Sequence, residues 1–365
     1  METRRGEKGG RGELEKGGEE KGEEAMRRMG DEARGDQESE LGLLSSLVGD
    51  GRPLLTLVGL SLVGVGGFAL FLAATGHFLP QDVAYLGMTA DDLCRLHGCR
   101  VVHFMEHDRV AFGGSLIAVG TMYLWLIEFP LRRGEAWAWW LFVLSGITGF
   151  GSFLAYLGYG YLDTWHGVAT LFLLPIFVAG LVITRRRLKE PRGLASIFTP
   201  GSRRPFTTLP GLARLLFLFV AAGMFAAGLT IMIVGMTSVF VPQDLQFMQV
   251  SPSELRSINP RLIPLIAHDR AGFGGGICTC GLTVLFSVWC GRLSKSLWQA
   301  LCLAGIAGFA AAIGVHPAVG YTDLTHLGPA IAGAAAFVMA LVLSWPAMRA
   351  PSQAATVGAT DLGMD

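Results

Sequence analysis

Residues 107–114 read His-Asp-Arg-Val-Ala-Phe-Gly-Gly, and residues 268–275 read His-Asp-Arg-Ala-Gly-Phe-Gly-Gly. Two more patterns flank both copies in the same order: Pro80-Gln81-Asp82 recurs as Pro242-Gln243-Asp244, and Tyr161-x-Asp163-x-x-His166 recurs as Tyr321-x-Asp323-x-x-His326. The spacings within the two copies agree to within one residue. This agreement indicates a tandem duplication, and a repeat of this length sets the unit of the architecture.

The composition is typical of an integral membrane protein. Hydrophobic residues make up 51% of the chain and charged residues 16%, whereas soluble domains carry about 25% charged residues. Much of the charge lies in the first forty residues, so the remainder is more apolar still. The formal net charge is zero, which gives no indication of nucleic-acid binding. The lipid bilayer is therefore the partner that the composition predicts.

Eight segments are long and apolar enough to cross a membrane, since a spanning helix needs about 20 mostly apolar residues. The predicted spans are Leu54–Thr75, Val110–Phe129, Ala136–Leu157, Gly167–Thr184, Leu212–Phe240, Ala271–Trp289, Leu297–Val315 and Leu327–Leu343. Each copy holds four of them. The predicted fold is an all-α integral membrane protein with eight transmembrane helices, arranged as two tandem parallel four-helix repeats. Glycines within the second span of each copy are expected to allow close helix packing: Gly113, Gly114, Gly120, Gly274, Gly275 and Gly276.

The basic residues of the short loops predict the orientation. Arg132, Arg133, the run 185–189 and Arg292 all fall on one side of the predicted spans. Short loops rich in Lys and Arg stay in the cytoplasm, so we expect a multi-pass plasma-membrane protein with both termini cytoplasmic. An even number of spans in each copy gives the copies one orientation, which makes them parallel repeats.

The predicted domains follow these boundaries. Residues 1–50 form a disordered, charged cytoplasmic tail, because Gly, Glu, Lys and Arg dominate there and little can be buried. Residues 51–189 form the first membrane repeat, 190–210 a cytoplasmic linker, 211–346 the second membrane repeat and 347–365 a cytoplasmic tail.

The loop after the first span of each copy is expected to be structured. Thr89 with an acid three residues later, and Ser251 with Glu254, are signatures of a helix start. Each loop, 76–108 and 241–269, should therefore carry a short helix on the outer membrane surface. Cys94 and Cys99 could form a disulfide in an oxidising compartment if the first of these helices ends before Cys99.

The residues that could carry chemistry gather at the outer ends of the second and fourth spans. If these spans are neighbours within one copy, two histidines and two aspartates converge, and imidazole with carboxylate suits Zn or Fe(II). The candidate residues for a ligand site or an ion-pair clamp are Asp82, His107, Asp108, Arg109, Asp163, His166, Asp244, His268, Asp269, Arg270, Asp323 and His326. The metal-ligating candidates among them are His107, Asp163, His166, His268, Asp323 and His326.

Three interpretations of these residues stay open: a purely structural clamp, a site for an organic ligand, and a metal or haem site. In a clamp, Arg109 pairs with Asp163 and Arg270 with Asp323, and the aspartates cap helices. In a metal site, His107 acts with His166, and His268 with His326. No cofactor, substrate or oligomeric state is predicted from these residues. The leading functional prediction is a binding or catalytic site at the extracytoplasmic face of each repeat. The alternatives are a small-solute transporter with a pathway between the repeats, and a structural membrane protein.

Overall fold

The computed structural model describes residue 42 and residues 47–154, 160–161, 163–202 and 205–349. The chain divides into two units, Met1–Gly49 and Asp50–Asp365, and everything below concerns the second. Most of the two predicted tails, 1–50 and 347–365, and residues 155–157 of the third predicted span lie outside the described residues. Apart from short π-helical and 3-10 segments, the described part of the second unit contains these helices: α1 Arg52–Thr75, α2 Pro80–Leu86, α3 Ala90–His97, α4 Arg100–Leu126, α5 Ala136–Leu154, α6 Thr164–Thr184, α7 Leu209–Met236, α8 Pro242–Met248, α9 Pro252–Ile258, α10 Leu262–Cys290, α11 Lys295–Val319 and α12 Leu324–Arg349.

The fold is all-helical, with no strand among the described residues. Within the part of the chain that the structure describes, seven helices are long and apolar enough to cross a membrane: α1, α4, α6, α7, α10, α11 and α12. The remaining predicted span corresponds to α5, whose last predicted residues lie outside the described part of the chain. The composition and these helices agree that this is a membrane protein.

The second long helix of each half begins about ten residues before its predicted start. We expected spans from Val110 and Ala271, but α4 begins at Arg100 and α10 at Leu262. Neither stretch contains a residue that would end the helix. Pro264 is tolerated because it lies in the first turn of α10, where its missing N–H costs no helical hydrogen bond. His107 and His268 therefore lie inside long helices and not at their entrances.

Helices α4 and α10 form the centre of the bundle. About three quarters of the most apolar stretch of each is buried, 72% for α4 and 78% for α10, compared with 17–28% for the other five candidate spans. These two helices contact each other, and each packs on the first long helix of its own half, α1 or α7. Each also packs on the third long helix of the other half, since α4 contacts α11 and α10 contacts α5. The two halves therefore interlock through their central helices.

Glycines allow these close contacts, as predicted. A Cβ atom on Gly274 would lie 2.4 Å from the backbone nitrogen of Met232, and one on Gly114 would lie 2.4 Å from Cβ of Ala311. A Cβ atom on Gly276 would lie 2.3 Å from Oγ of Ser115, across the α4–α10 contact. Such separations leave no room for a side chain, so the small residues of the repeated motif set the distance between the helices.

The predicted short helices lie at the other end from the basic loops. Helices α3 and α9 begin with complete capping boxes, Thr89 with Asp92 and Ser251 with Glu254, as expected. Together with α2 and α8 they enclose a hydrophobic core that is separate from the core between the long helices and includes Leu93, Phe104 and Leu255. We call the four short helices α2, α3, α8 and α9 together the cap of the bundle.

Cys94 and Cys99, whose pairing the sequence left conditional on the end of the helix, form a disulfide. Helix α3 ends at His97, Gly98 adopts a positive φ of 64°, and Cys94 and Cys99 are bonded. The helix thus ends before Cys99, which is the condition that the pairing required. At the opposite end, the predicted linker 190–210 includes a 3-10 turn, Leu194–Phe198, packed on α5 and α10.

Candidate metal centres

The repeated His-Asp-Arg tripeptides lie within the buried stretches of α4 and α10. His107, Asp108, His268 and Arg270 are each less than 5% exposed. A charge at such a site needs an opposite partner, because burial removes its hydration. The partners of these residues decide what the motif does.

Arg109 bridges two carboxylates. Its Nη2 donates to Oδ2 of Asp82 at 2.8 Å, and its Nε donates to Oδ2 of Asp269 at 2.9 Å. A carboxylate partner was expected, but Asp163 as that partner is wrong. Asp163 instead caps α6, where it accepts hydrogen bonds from the backbone N–H of His166 and from Gln81. The reason is that α4 crosses α10, which places Asp269 within reach of Arg109.

Arg270 makes the matching set of contacts in the other half. Its Nη2 lies 2.9 Å from Oδ2 of Asp244, and its Nη1 lies 3.8 Å from Oδ2 of Asp108. The predicted partner, Asp323, is again wrong. Asp323 is exposed and accepts hydrogen bonds from Thr325 and from the backbone N–H of His326, and these bonds lower its pKa. Each arginine thus joins its own cap helix to the central helix of the other half.

A tyrosine supports each of the cap aspartates. The hydroxyl of Tyr161 donates to Asp82 at 2.7 Å, and that of Tyr321 donates to Asp244 at 3.2 Å. Burial, and then the neighbouring carboxylate, raises the pKa of both phenols, so both remain donors. Burial also raises the pKa of Asp244, in spite of its ion pair with Arg270.

Three histidines converge beside α4. His107, His316 and His326 each offer a ring nitrogen within 4.8 Å of the others, and we name them the three-histidine cluster. Nδ1 of His107 lies 2.9 Å from Oδ1 of Asp108. A carboxylate accepts, so this nitrogen carries the proton and Nε2 is left as the lone-pair donor in the neutral ring. Both ring nitrogens of His316 are buried without a hydrogen bond of normal geometry, although the carbonyls of Ala312 and Ile313 are near its ring.

A second group lies beside α10. Asp163, His166 and His268 also offer ligand atoms within 4.8 Å of one another, and we name them the histidine–aspartate cluster. Nδ1 of His166 and Nε2 of His268 are 2.7 Å apart. Two nitrogens bound to one zinc ion at tetrahedral angles are about 3.3 Å apart, given Zn–N bonds of about 2.0–2.1 Å. A metal ion would thus replace this hydrogen bond after a small movement of the rings.

The histidines are paired across the halves, and the predicted pairing is wrong. We expected His107 with His166 and His268 with His326, but His107 meets His326 and His268 meets His166. The histidines find partners in the other half for the same reason as the arginines do, because each central helix packs against helices of the other half. Asp323, a predicted ligand, is exposed and belongs to neither cluster.

His316 is the cluster residue that sequence reasoning missed. It lies on α11, five residues before Tyr321, and Tyr156 occupies the corresponding place before Tyr161. Because the first copy carries no histidine there, comparison of the repeats does not select His316. The usable signal was that all eight histidines fall towards one face of the predicted bundle.

Negative charge exceeds positive charge around the two clusters. Among the described residues there, five aspartate side chains are 9% exposed or less and two arginine side chains pair with them: Asp82, Asp108, Asp163, Asp244 and Asp269, with Arg109 and Arg270. If all ionise, the formal excess is three negative charges. Cations or protons must balance such an excess in a buried site.

A mainly apolar cleft adjoins the histidine–aspartate cluster. It has a volume of about 90 Å³ and lies among α1, α4, α5 and α6, with α10 behind it. His166 lines it, as do Phe112 and Leu173, and Tyr123 with Ser145 closes it towards the other end of the bundle. The cluster therefore borders apolar space within the spanning region as well as the cap.

Comparison of the chain with protein-family models, with curated proteins and with solved structures found no match.

Proposed function

We propose that this protein binds two transition-metal ions, one at the three-histidine cluster and one at the histidine–aspartate cluster, on the extracytoplasmic side of a bundle made of two parallel four-helix repeats. The repeat interpretation is supported by the order of helices, since one long, two short and three long helices occur in succession in each half. It is supported further by the matched bridges of Arg109 and Arg270.

The observation that carries the metal proposal is the hydrogen bond from Nδ1 of His107 to Asp108 in a cluster of three histidines. Histidines that bind metals almost always donate their other N–H to a carboxylate or carbonyl, which fixes the ring and the tautomer. Three imidazoles, or two imidazoles with a carboxylate, form the protein part of zinc sites that keep a fourth position open. Two imidazoles with one carboxylate also suit Fe(II).

A structural clamp explains less of the arrangement. The ion pairs of Arg109 and Arg270 account for Asp82, Asp244 and Asp269. They do not account for three histidine rings that face one another, because neutral imidazoles gain little from mutual contact and a buried nitrogen without a partner is costly. A divalent cation would satisfy these nitrogens and reduce the excess of negative charge.

A transport pathway between the halves is the alternative function. The packing between the central helices argues against it, because Gly276 of α10 lies directly against Ser115 and Phe112 of α4. A metal held by three protein ligands would keep a coordination position for water or a small substrate, which favours a binding or catalytic role at the outer face.

The metal content of the purified protein tests the proposal. Protein prepared without chelators is expected to contain two equivalents of Zn, Fe or Cu for each chain, measured by plasma mass spectrometry. Neutral imidazole is the form that binds, so protons compete with the metal and occupancy should fall as the pH decreases. Protein that remains free of metal after dialysis against each ion would contradict the proposal.

We also propose that the cap faces away from the cytoplasm, with both termini on the cytoplasmic side of the plasma membrane. The Cys94–Cys99 disulfide lies in the cap, and disulfides persist in oxidising compartments. The basic residues Arg132, Arg133 and Arg185–Arg187 lie at the opposite end, as expected for cytoplasmic loops.

Labelling of cysteines in whole cells tests this orientation. In a Cys302→Ser background, which removes the one partly exposed free thiol among the described residues, Cys99→Ser should leave Cys94 open to a membrane-impermeant maleimide. Arg186→Cys should react only after the cells are permeabilised. Reaction of Arg186→Cys in intact cells, with protection of Cys94, would invert the proposed orientation.

A further inference from the structure

A basic pocket lies at the end of the bundle away from the cap. It is formed where α1 begins, where α4 continues into the π-helical segment Ile127–Leu131, and where α6 ends. Its volume is about 240 Å³. Five of the residues that line it are basic and one is acidic: Arg52, Arg132, Arg133, Arg187 and Lys189, with Asp50.

The backbone around the pocket is held in place. Gly134 has a positive φ of 75°, and its carbonyl accepts a hydrogen bond of 2.9 Å from the backbone N–H of Lys189. A Cβ atom on Gly134 would lie 2.8 Å from the carbonyl oxygen of Arg187. The loop after α4 is thus docked on the segment after α6, and the two segments present their basic side chains to one space.

The basic side chains are only partly neutralised. Arg52 pairs with Asp50 at 2.8 Å, Arg133 pairs with Glu135 at 2.6 Å, and Arg132 pairs with Glu128. Arg187 and Lys189 have no carboxylate within 4 Å among the residues that the structure describes. Five cations against three carboxylates leave an excess of two positive charges, which suits a phosphate group.

Two tryptophans lie at the same end of the bundle as the pocket. Trp139 donates to the carbonyl of Leu181 at 2.8 Å, and Arg185 lies over its ring at 5.1 Å. Trp140 donates to the carbonyl of Arg192 at 3.0 Å. Tryptophans gather at the membrane–water interface, where one end of the ring is apolar and the other is hydrated. The pocket itself lies at the ends of the candidate spans α1, α4 and α6, where the phosphates of a surrounding bilayer are expected.

We propose that this pocket binds the phosphate headgroup of an anionic membrane lipid, held between α1, the loop after α4 and the segment after α6. This site is independent of the histidine clusters and of their metal content. Basic pockets between membrane helices are suited to such headgroups because the charge and the bilayer depth agree. The lipid joins the first, second and fourth long helices of the first half at the end opposite the cap.

Lipid binding to the purified full-length protein tests the proposal. The probes are phosphatidylglycerol, phosphatidylcholine and inorganic phosphate, and the readouts are native mass spectrometry and the shift in Tm. We expect phosphatidylglycerol to bind in preference to phosphatidylcholine. Arg133→Gln together with Lys189→Gln should weaken that binding about twentyfold to thirtyfold, since each Lys or Arg near an anionic surface contributes about a fivefold factor.

The control is the double variant Arg292→Gln and Lys295→Gln, which removes two basic residues outside the pocket at the same end of the bundle. It should change the affinity less than twofold. Because Arg133 and Lys189 are exposed, the test variant should unfold at the same temperature as the parent protein without lipid. Equal losses of phosphatidylglycerol affinity in the two double variants would contradict the assignment of the binding site to this pocket. Inorganic phosphate that binds as tightly as phosphatidylglycerol would overturn the lipid as its ligand.

Discussion

Replacing His107 by alanine should halve the metal content, from two ions to one for each chain, by emptying the three-histidine cluster. His268→Ala should also leave one ion, that of the three-histidine cluster. Loss of one of three protein ligands commonly abolishes binding at micromolar metal, because an open site has no spare ligand to replace it. Plasma mass spectrometry of dialysed protein measures the content. His103→Ala is the matched control, since His103 lies on α4 outside both clusters.

Double variants distinguish the pairing seen in the structure from the pairing within each half. His107→Ala with His326→Ala should keep one ion, because both residues belong to the three-histidine cluster. His107→Ala with His166→Ala should lose both, because these residues belong to different clusters. The reverse outcome would show that each half binds its own ion and would contradict the exchanged arrangement.

Arg270→Ala is expected to be strongly destabilising, by about 3–5 kcal/mol, because it leaves buried carboxylates without their cation. Arg270 is 4% exposed and its nearest partner, Asp244, is fully buried, so solvent compensates little for the loss. The measurement is the free energy of unfolding in detergent, or the shift in Tm. Arg270→Met with Asp244→Asn should recover part of the loss, because the pair is then replaced by a neutral one.

Asp323→Asn is the control for this ion pair. Asp323 was the partner predicted from sequence, but it is exposed and serves only as a helix cap. Asparagine caps helices as well as aspartate does, so the change should cost less than about 0.5 kcal/mol. A large effect of Asp323→Asn with a small effect of Arg270→Ala would show that the predicted pairing, and not the observed one, holds the bundle together.

Local features of the fold could be predicted because they depend on nearby residues. The capping boxes at Thr89 and Ser251 and the end of α3 before Cys99 are visible in short stretches of sequence. The close packing at Gly114 and Gly274 followed from small residues within apolar segments. Seven of the eight predicted spans correspond to candidate spans among the described residues, although two of these helices begin about ten residues earlier than expected.

The sequence by itself determined that this is a helical membrane protein, which residues recur, and that the recurring histidines, aspartates and arginines belong together at one end. It could not determine whether each of these residues contacts partners in its own half or in the other half. Only the tertiary structure places α4 on α11 and α10 on α5, so that His107 meets His316 and His326, and Arg109 meets Asp269. The physical reason is that hydropathy and capping act over a few residues, whereas the choice between pairing within a half and pairing across halves depends on how whole helices pack at their glycines.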